Sequence, residues 1–222
     1  MALIDSIELK EIQLDCDWTV QTRKAYFQLI EAVKHNLKIS VSVTIRLHQI
    51  KFSTTTGVPP ADRGMLMCYN VGDVKNPKTC NSIFDRNIVG EYLEKVNQYP
   101  LELDLALPLF EWTVVFRNGK FLRILNQTGE KELLNRSYFS KGTHPSEFVA
   151  AKDTLDFGFS VHRGDEFHVE KSRIPDVMDV KNDLLTRIKN NRISLCYYHL
   201  DSLTLSAYDS DQLLSIYETH PN

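Results

Sequence analysis

From Leu37 to Leu47 six apolar side chains alternate without a break with five polar ones. Successive side chains on a strand point to opposite faces, so the run predicts a β-strand with one dry face and one wet face. Ile12, Leu14, Cys16, Trp18 and Val20 repeat the pattern, as do Leu101 to Leu109 and Leu155 to Val161. Between the first two strands Tyr26, Leu29, Ile30, Val33 and Leu37 fall at helical spacing. Similar stripes predict helices near 22–35, 83–97 and 176–190, the last opened by Pro175, which suits a first helical turn.

Asn118-Gly119 suits a tight hairpin turn whose two central residues need positive φ. That turn would set Phe116 opposite Phe121 and Trp112 opposite Leu125. A second hairpin is expected around Arg163-Gly164-Asp165, pairing Val161 with Phe167 and Phe159 with Val169. A last strand is expected from Ile193 towards Ala207, before a short helix over 211–218. Half-buried alternation of this kind belongs to a sheet covered on one side. The fold class expected is α+β: a bent, mostly antiparallel sheet with about three helices packed on it, as a single domain over 1–222. Residues 53–64, with two prolines, two glycines and three consecutive threonines, are expected to form a mobile loop.

Charge narrows the partners. A net charge of −3 gives no overall attraction to nucleic acid or anionic membrane, so any such binding needs a local patch. One stretch supplies it. Between Trp112 and Gly142 stand Arg117, Lys120, Arg123, Lys131, Arg136 and Lys141, interleaved with Trp112, Phe116, Phe121, Tyr138 and Phe139. Such a hairpin could hold phosphates of RNA or of lipid head groups, or could be a charged hairpin whose aromatic residues are core. Cys16, Cys68, Cys80 and Cys196 form no CxxC pair, and no apolar run reaches the ~18 residues of a membrane span. Free thiols and an intracellular location are the expectation.

Catalytic signatures are missing: the chain has no GxSxG, HExxH, GxGxxG or GxxxxGK[ST]. Asp15 with Asp17, and Glu102 with Asp104, each share one strand face, where the alternation already calls for wet residues. His162 and His168 flank one turn and could approach across it, but a metal needs about four ligands and no others are evident. No catalytic residue, cofactor or metal is therefore expected.

The segment from Trp18 to Phe27 with Leu29 to Val33 resembles the start of the folded core of rhabdovirus matrix proteins, where a strand ending in a TVRS-type sequence enters a helix ending in an AAV-type sequence. Residues 155–205 are compatible with the sheet-plus-helices core of that family, whereas its basic arm and PPxY motif are missing. The resemblance implies a non-enzymatic assembly protein of a virion or host cytoplasm, self-associating and contacting membrane and nucleocapsid. The alternatives are a nucleic-acid-binding module using 112–142, or an enzyme whose site is assembled from dispersed residues.

Overall fold

The computed structural model describes residues 8–199, 204–205 and 208–218. They fall into two compact units, each described by itself. The first comprises Met1–Cys68, Val89–Leu107 and Val180–Cys196; the second comprises Tyr69–Ile88, Pro108–Asp179 and Tyr197–Asn222.

The first unit is built on a parallel sheet. Its strands are β1 (Glu11–Leu14), β2 (Ser40–Arg46), β3 (Arg63–Met67) and β4 (Glu102–Pro108), standing side by side in chain order, and a later strand from Leu195 to Tyr198 adds beyond β4. β1 to β4 run parallel, with Ser42 beside both Gln13 and Arg63, and Arg63 beside Glu102. Parallel neighbours need crossovers. The first is α1 (Arg23–Leu37), ended by Lys38 in the left-handed conformation at φ 53°. The second contains α2 (Leu47–Lys51) and α3 (Ser53–Thr56), so part of the expected loop 53–64 is helical and part belongs to β3. The third includes α4 (Arg86–Gly90) and a 3₁₀ turn over Leu93–Gln98.

Here the expected fold class is wrong, and the reason is physical. In β2 the "wet" positions are dry: Ser42 is 2% and Thr44 7% exposed. Both faces of the strand are covered. Val41, Val43 and Ile45 are buried on one side, as is Ile30 of α1. On the other, Ser42 donates to Glu11 Oε1 at 2.5 Å and Thr44 to Asp15 Oδ1 at 2.7 Å. Alternation reported two unlike faces, not water on one of them. A sheet wound strand after strand with a polar inner face is the wall of a barrel.

The second unit is antiparallel. Its sheet runs β6 (Lys120–Asn126), β5 (Glu111–Arg117), β11 (Glu166–Lys171), β8 (Glu147–Ala150), β7 (Phe139–Lys141), with a separate ribbon of β9 (Thr154–Asp156) and β10 (Phe159–Val161). Its core gathers Val115, Leu125, Leu133, Phe148, Val161 and Phe167, with Phe139, Phe157 and Phe159 packed around. α5 (Glu130–Leu134) follows β6, and α6 (Ile174–Arg187) follows β11 and crosses from this unit into the residues of the first.

Asn118 and Gly119 take φ 52° and 70°, and Phe116 stands opposite Phe121 as expected. The register then slips. Val115 pairs with Arg123, which leaves Leu122 as the extra residue of a bulge, and Trp112 faces Asn126 instead of Leu125. The hairpin expected at 163–165 does not form either. β10 pairs with β9, while β11 pairs with β5 and β8, because the partner of an apolar strand is set by tertiary packing and not by the nearest turn. The strand and helix that close the chain are β12 (Leu195–Tyr198) and α7 (Ser210–Glu218); the expected extension towards Ala207 lies partly outside the described residues. No helix among the described residues is long and apolar enough to cross a membrane.

Candidate active site

In a barrel wall the C-terminal ends of the parallel strands carry the chemistry, while the opposite ends serve stability. Near the N-terminal ends Arg63 binds Asp104 through two hydrogen bonds of 3.0 and 2.8 Å and reaches Glu102 at 2.6 Å. Asp104 also accepts from Ser194 N at 2.6 Å. The acidic pair Glu102 and Asp104 is thus a buttress held by one guanidinium. Asp17, beyond β1, forms a two-point ion pair with Arg46 at the end of β2. Further along β4 the inner-face position two residues past Asp104 is Ala106, so the strand presents no carboxylate there.

The next carboxylate along the chain is Glu111, three residues past the end of β4 and the first residue of β5. It lines a cavity of about 910 Å3 in the second unit, together with Glu130, Glu132, Lys171 and Tyr208. The Glu111 carboxylate lies against Gly129, where any added methyl would collide with it. No described residue donates a hydrogen bond to it. Burial pushes the Glu111 carboxyl above the usual carboxylate range; Lys171 opposes the shift, and Glu132 and Glu130 add to it. Glu130 is displaced the other way, because Lys141 donates to it at 2.5 Å and favours the ionised form against its own burial. Glu132 caps α5 by accepting from Gly129 N at 2.9 Å. One cavity therefore holds a carboxyl inclined to keep its proton and a carboxylate inclined to stay ionised, the division of labour that acid–base chemistry needs.

Aromatic rings gather beside the same segment. Tyr69, one residue past the first unit's Cys68, stacks on Tyr198 with centroids 4.6 Å apart, and Phe110 meets both edge-on at 6.2 and 5.6 Å. Trp112 packs edge-on against Phe110 at 5.3 Å and donates through Nε1 to the buried Glu170. Tyr198 remains 44% exposed, so the cluster has an open rim.

The cations expected to form a phosphate surface are mostly engaged one by one. Arg117 makes a two-point pair with the buried Asp165. Arg136 binds Asp156 and lies over the Phe157 ring at 4.2 Å. Arg123 lies over Phe159 at 4.7 Å, and Lys141 over Phe148 at 4.1 Å besides binding Glu130. Lys120 and Lys131 are exposed, Lys131 at the rim of the Glu111 cavity. Sequence reasoning passed over Glu111, because a lone glutamate after a strand carries no pattern; only the fold brings Glu130 and Lys171 to it.

No protein-family model and no curated protein matches the chain. Solved structures do. A chitinase from Chromobacterium violaceum aligns with a TM-score of 0.57 at 12% identity, over 96% of this chain and 68% of that one. The Bacillus cereus spore cortex-lytic enzyme SleL aligns at 0.54 and 14%, over 94% of this chain and 51% of that one, and an Ostrinia furnacalis Group IV chitinase at 0.52 and 9%, over 98% and 70%. The chain spans about half the length of SleL. Identities this low establish the fold and no more: a parallel barrel-type wall as found in glycoside hydrolases. That fold overturns the likeness to rhabdovirus matrix proteins, and with it the reading of the chain as a non-enzymatic assembly protein of a virion, which drew on that likeness; the matched structures carry the names of chitinases and of a spore cortex-lytic enzyme.

Proposed function

We propose that the protein acts on polymers of amino sugars, with Glu111 as its acid group. The observation that carries the reading is the barrel-type sheet, shared with enzymes named for chitin and for spore cortex, with a carboxyl of raised proton affinity three residues beyond β4. Cleaving a glycosidic bond needs a proton delivered to the leaving oxygen, and most glycosidases set an ionised carboxylate on the far side of the bond. Glu102 and Asp104 are unsuited to the first task because Arg63 holds them. Glu111 suits it by burial, Glu130 suits the second task by its lysine, and the rim of Tyr69, Phe110 and Tyr198 offers flat apolar faces to sugar rings.

The test is release of reducing ends from chitin oligosaccharides and from peptidoglycan, beside retention on both insoluble polymers. Glu111→Gln should cut the rate about 10²–10⁴-fold while retention stays unchanged. Retention without cleavage by the parent protein removes the role given to Glu111. Failure to be retained by either polymer overturns the whole reading.

A further inference from the structure

Away from that cavity, β8 and β11 bring three potential metal ligands together. His168 stands directly opposite Glu147 across the antiparallel pair, and Glu166 precedes His168 by two residues on the same face of β11. One ligand atom from each of Glu147, Glu166 and His168 lies within 4.8 Å of the other two. The His168 ring packs on Phe116 at 4.8 Å, and its Nε2 is buried with no hydrogen-bond partner among the described residues. An orphaned ring nitrogen in such a position is costly unless something absent from the chain satisfies it.

The spacing indicates what that is. His168 Nε2 lies 3.6 Å from Glu166 Oε2, long for a hydrogen bond. Two ligands of one tetrahedral zinc, each about 2.1 Å from the ion, stand about 3.4 Å apart. Glu147 is already oriented from behind: its Oε2 accepts from Thr143 N at 3.1 Å, Thr143 Oγ1 at 3.0 Å and His144 N at 3.2 Å. Supporting hydrogen bonds of this kind fix a ligating carboxylate and leave its other oxygen free. Two carboxylates and a neutral imidazole balance a doubly charged ion, and the nitrogen donor favours a transition metal over calcium or magnesium.

We propose that Glu147, Glu166 and His168 bind one Zn²⁺, with a fourth position open on the side of the one-third-exposed Glu166. The site lies outside the cavity lined by Glu111, and the proposal does not depend on the glycan reading.

Chelator-stripped protein carrying Cys16→Ser and Cys80→Ser, the exposed thiols, is titrated with Zn²⁺ by calorimetry and with Co²⁺ by visible absorption. One ion per chain, the d–d bands of a four- or five-coordinate cobalt site and a higher melting temperature with zinc are expected. Glu166→Gln and His168→Gln should each weaken binding about 10–100-fold. The glutamate variant alters a partly exposed side chain, so its fold should survive, and circular dichroism checks both. No ion bound by the folded protein, or affinity unchanged in both variants, overturns the site.

Discussion

In the parallel sheet polar side chains meet across adjacent strands: Ser42 and Thr44 of β2 reach Glu11 of β1 and Asp15 just beyond it, and Arg63 of β3 reaches Asp104 of β4. The antiparallel unit keeps its charges outside an aromatic core and ties them down singly, Arg117 to Asp165 and Arg136 to Asp156, while Phe148 and Phe167 fill the middle. One unit uses polar residues as the filling of a face, the other as fastenings around an apolar one. Damage to each should therefore differ in kind. The chain's two tryptophans, Trp18 in the first unit and Trp112 in the second, allow the units to be followed separately in single-tryptophan variants.

The largest effect is expected in the aromatic core. Phe167→Ala empties a fully buried site and should cost about 3–5 kcal/mol, read from urea unfolding at Trp112. A cost below ~1 kcal/mol would mean that the aromatic core is not what holds that unit together.

Next comes the inner face of the parallel sheet. Asp104→Ala leaves Arg63 partly buried without its main partner, for a loss of about 3 kcal/mol at Trp18. Combining Arg63→Met with Asp104→Leu should recover most of it, because a matched apolar pair removes the uncompensated charge. If the double variant is no better than the single, the pair is doing more than filling the face.

Acid should separate the units. Arg136 beside Asp156 holds that carboxyl at about 2, from an ordinary 3.8. Burial raises Asp165 and Glu147, yet Arg117 for the former and the His144 and Thr143 hydrogen bonds for the latter bring both below the usual range. A depressed carboxyl contributes stability that is present above its ordinary value and is lost as pH falls through the folded one. For Asp156 the loss runs from about pH 4 to about pH 2. Glu111, being raised, acts in the opposite sense at higher pH. Depressed carboxyls are concentrated in the second unit, with Asp62 the counterpart among described residues of the first. On acidification the Trp112 signal should change at a higher pH than that of Trp18. Coincident transitions would instead make the two units one cooperative body.

The smallest effect concerns the basic stretch. Lys120→Glu and Lys131→Glu should change stability by no more than about 0.5 kcal/mol, whereas Arg117→Glu should cost more by stranding the buried Asp165. Binding of RNA or anionic liposomes that falls in the two lysine variants would give the stretch a role beyond fastening.

What could be read from the chain divides along the same line. α1, the Asn118-Gly119 turn and the pairing of Phe116 with Phe121 follow from local spacing and turn chemistry, and they stand where the residues indicate. The parallel sheet does not. Ser40, Ser42, Thr44 and Arg46 have the same spacing whether they meet water or the inside of a barrel wall, and only distant partners such as Glu11, Asp15 and Asp17 decide it. The same holds for Glu111, which gains its environment from Gly129, Glu130 and Lys171, and for His168, whose partner is Glu147 and not His162. Both proposed sites are built from residues far apart in the chain.

The unpaired Leu122 leaves the hairpin of β5 and β6 with two reading frames. On the turn side of the bulge the frame is set by Phe116 and Phe121; on the other side it is displaced by one, and only the displaced frame puts Leu125 opposite Thr113 and into the core with Val115 and Phe148. An exchange of Leu122 for another side chain leaves both frames intact, since the residue already faces solvent. Removal of that one residue would leave a regular ladder in which Arg123 still meets Val115 and Leu125 still meets Thr113, so the bulge would go and the faces would stay. The hairpin thus carries one residue more than its pairing requires, and the surplus is taken up at the bulge.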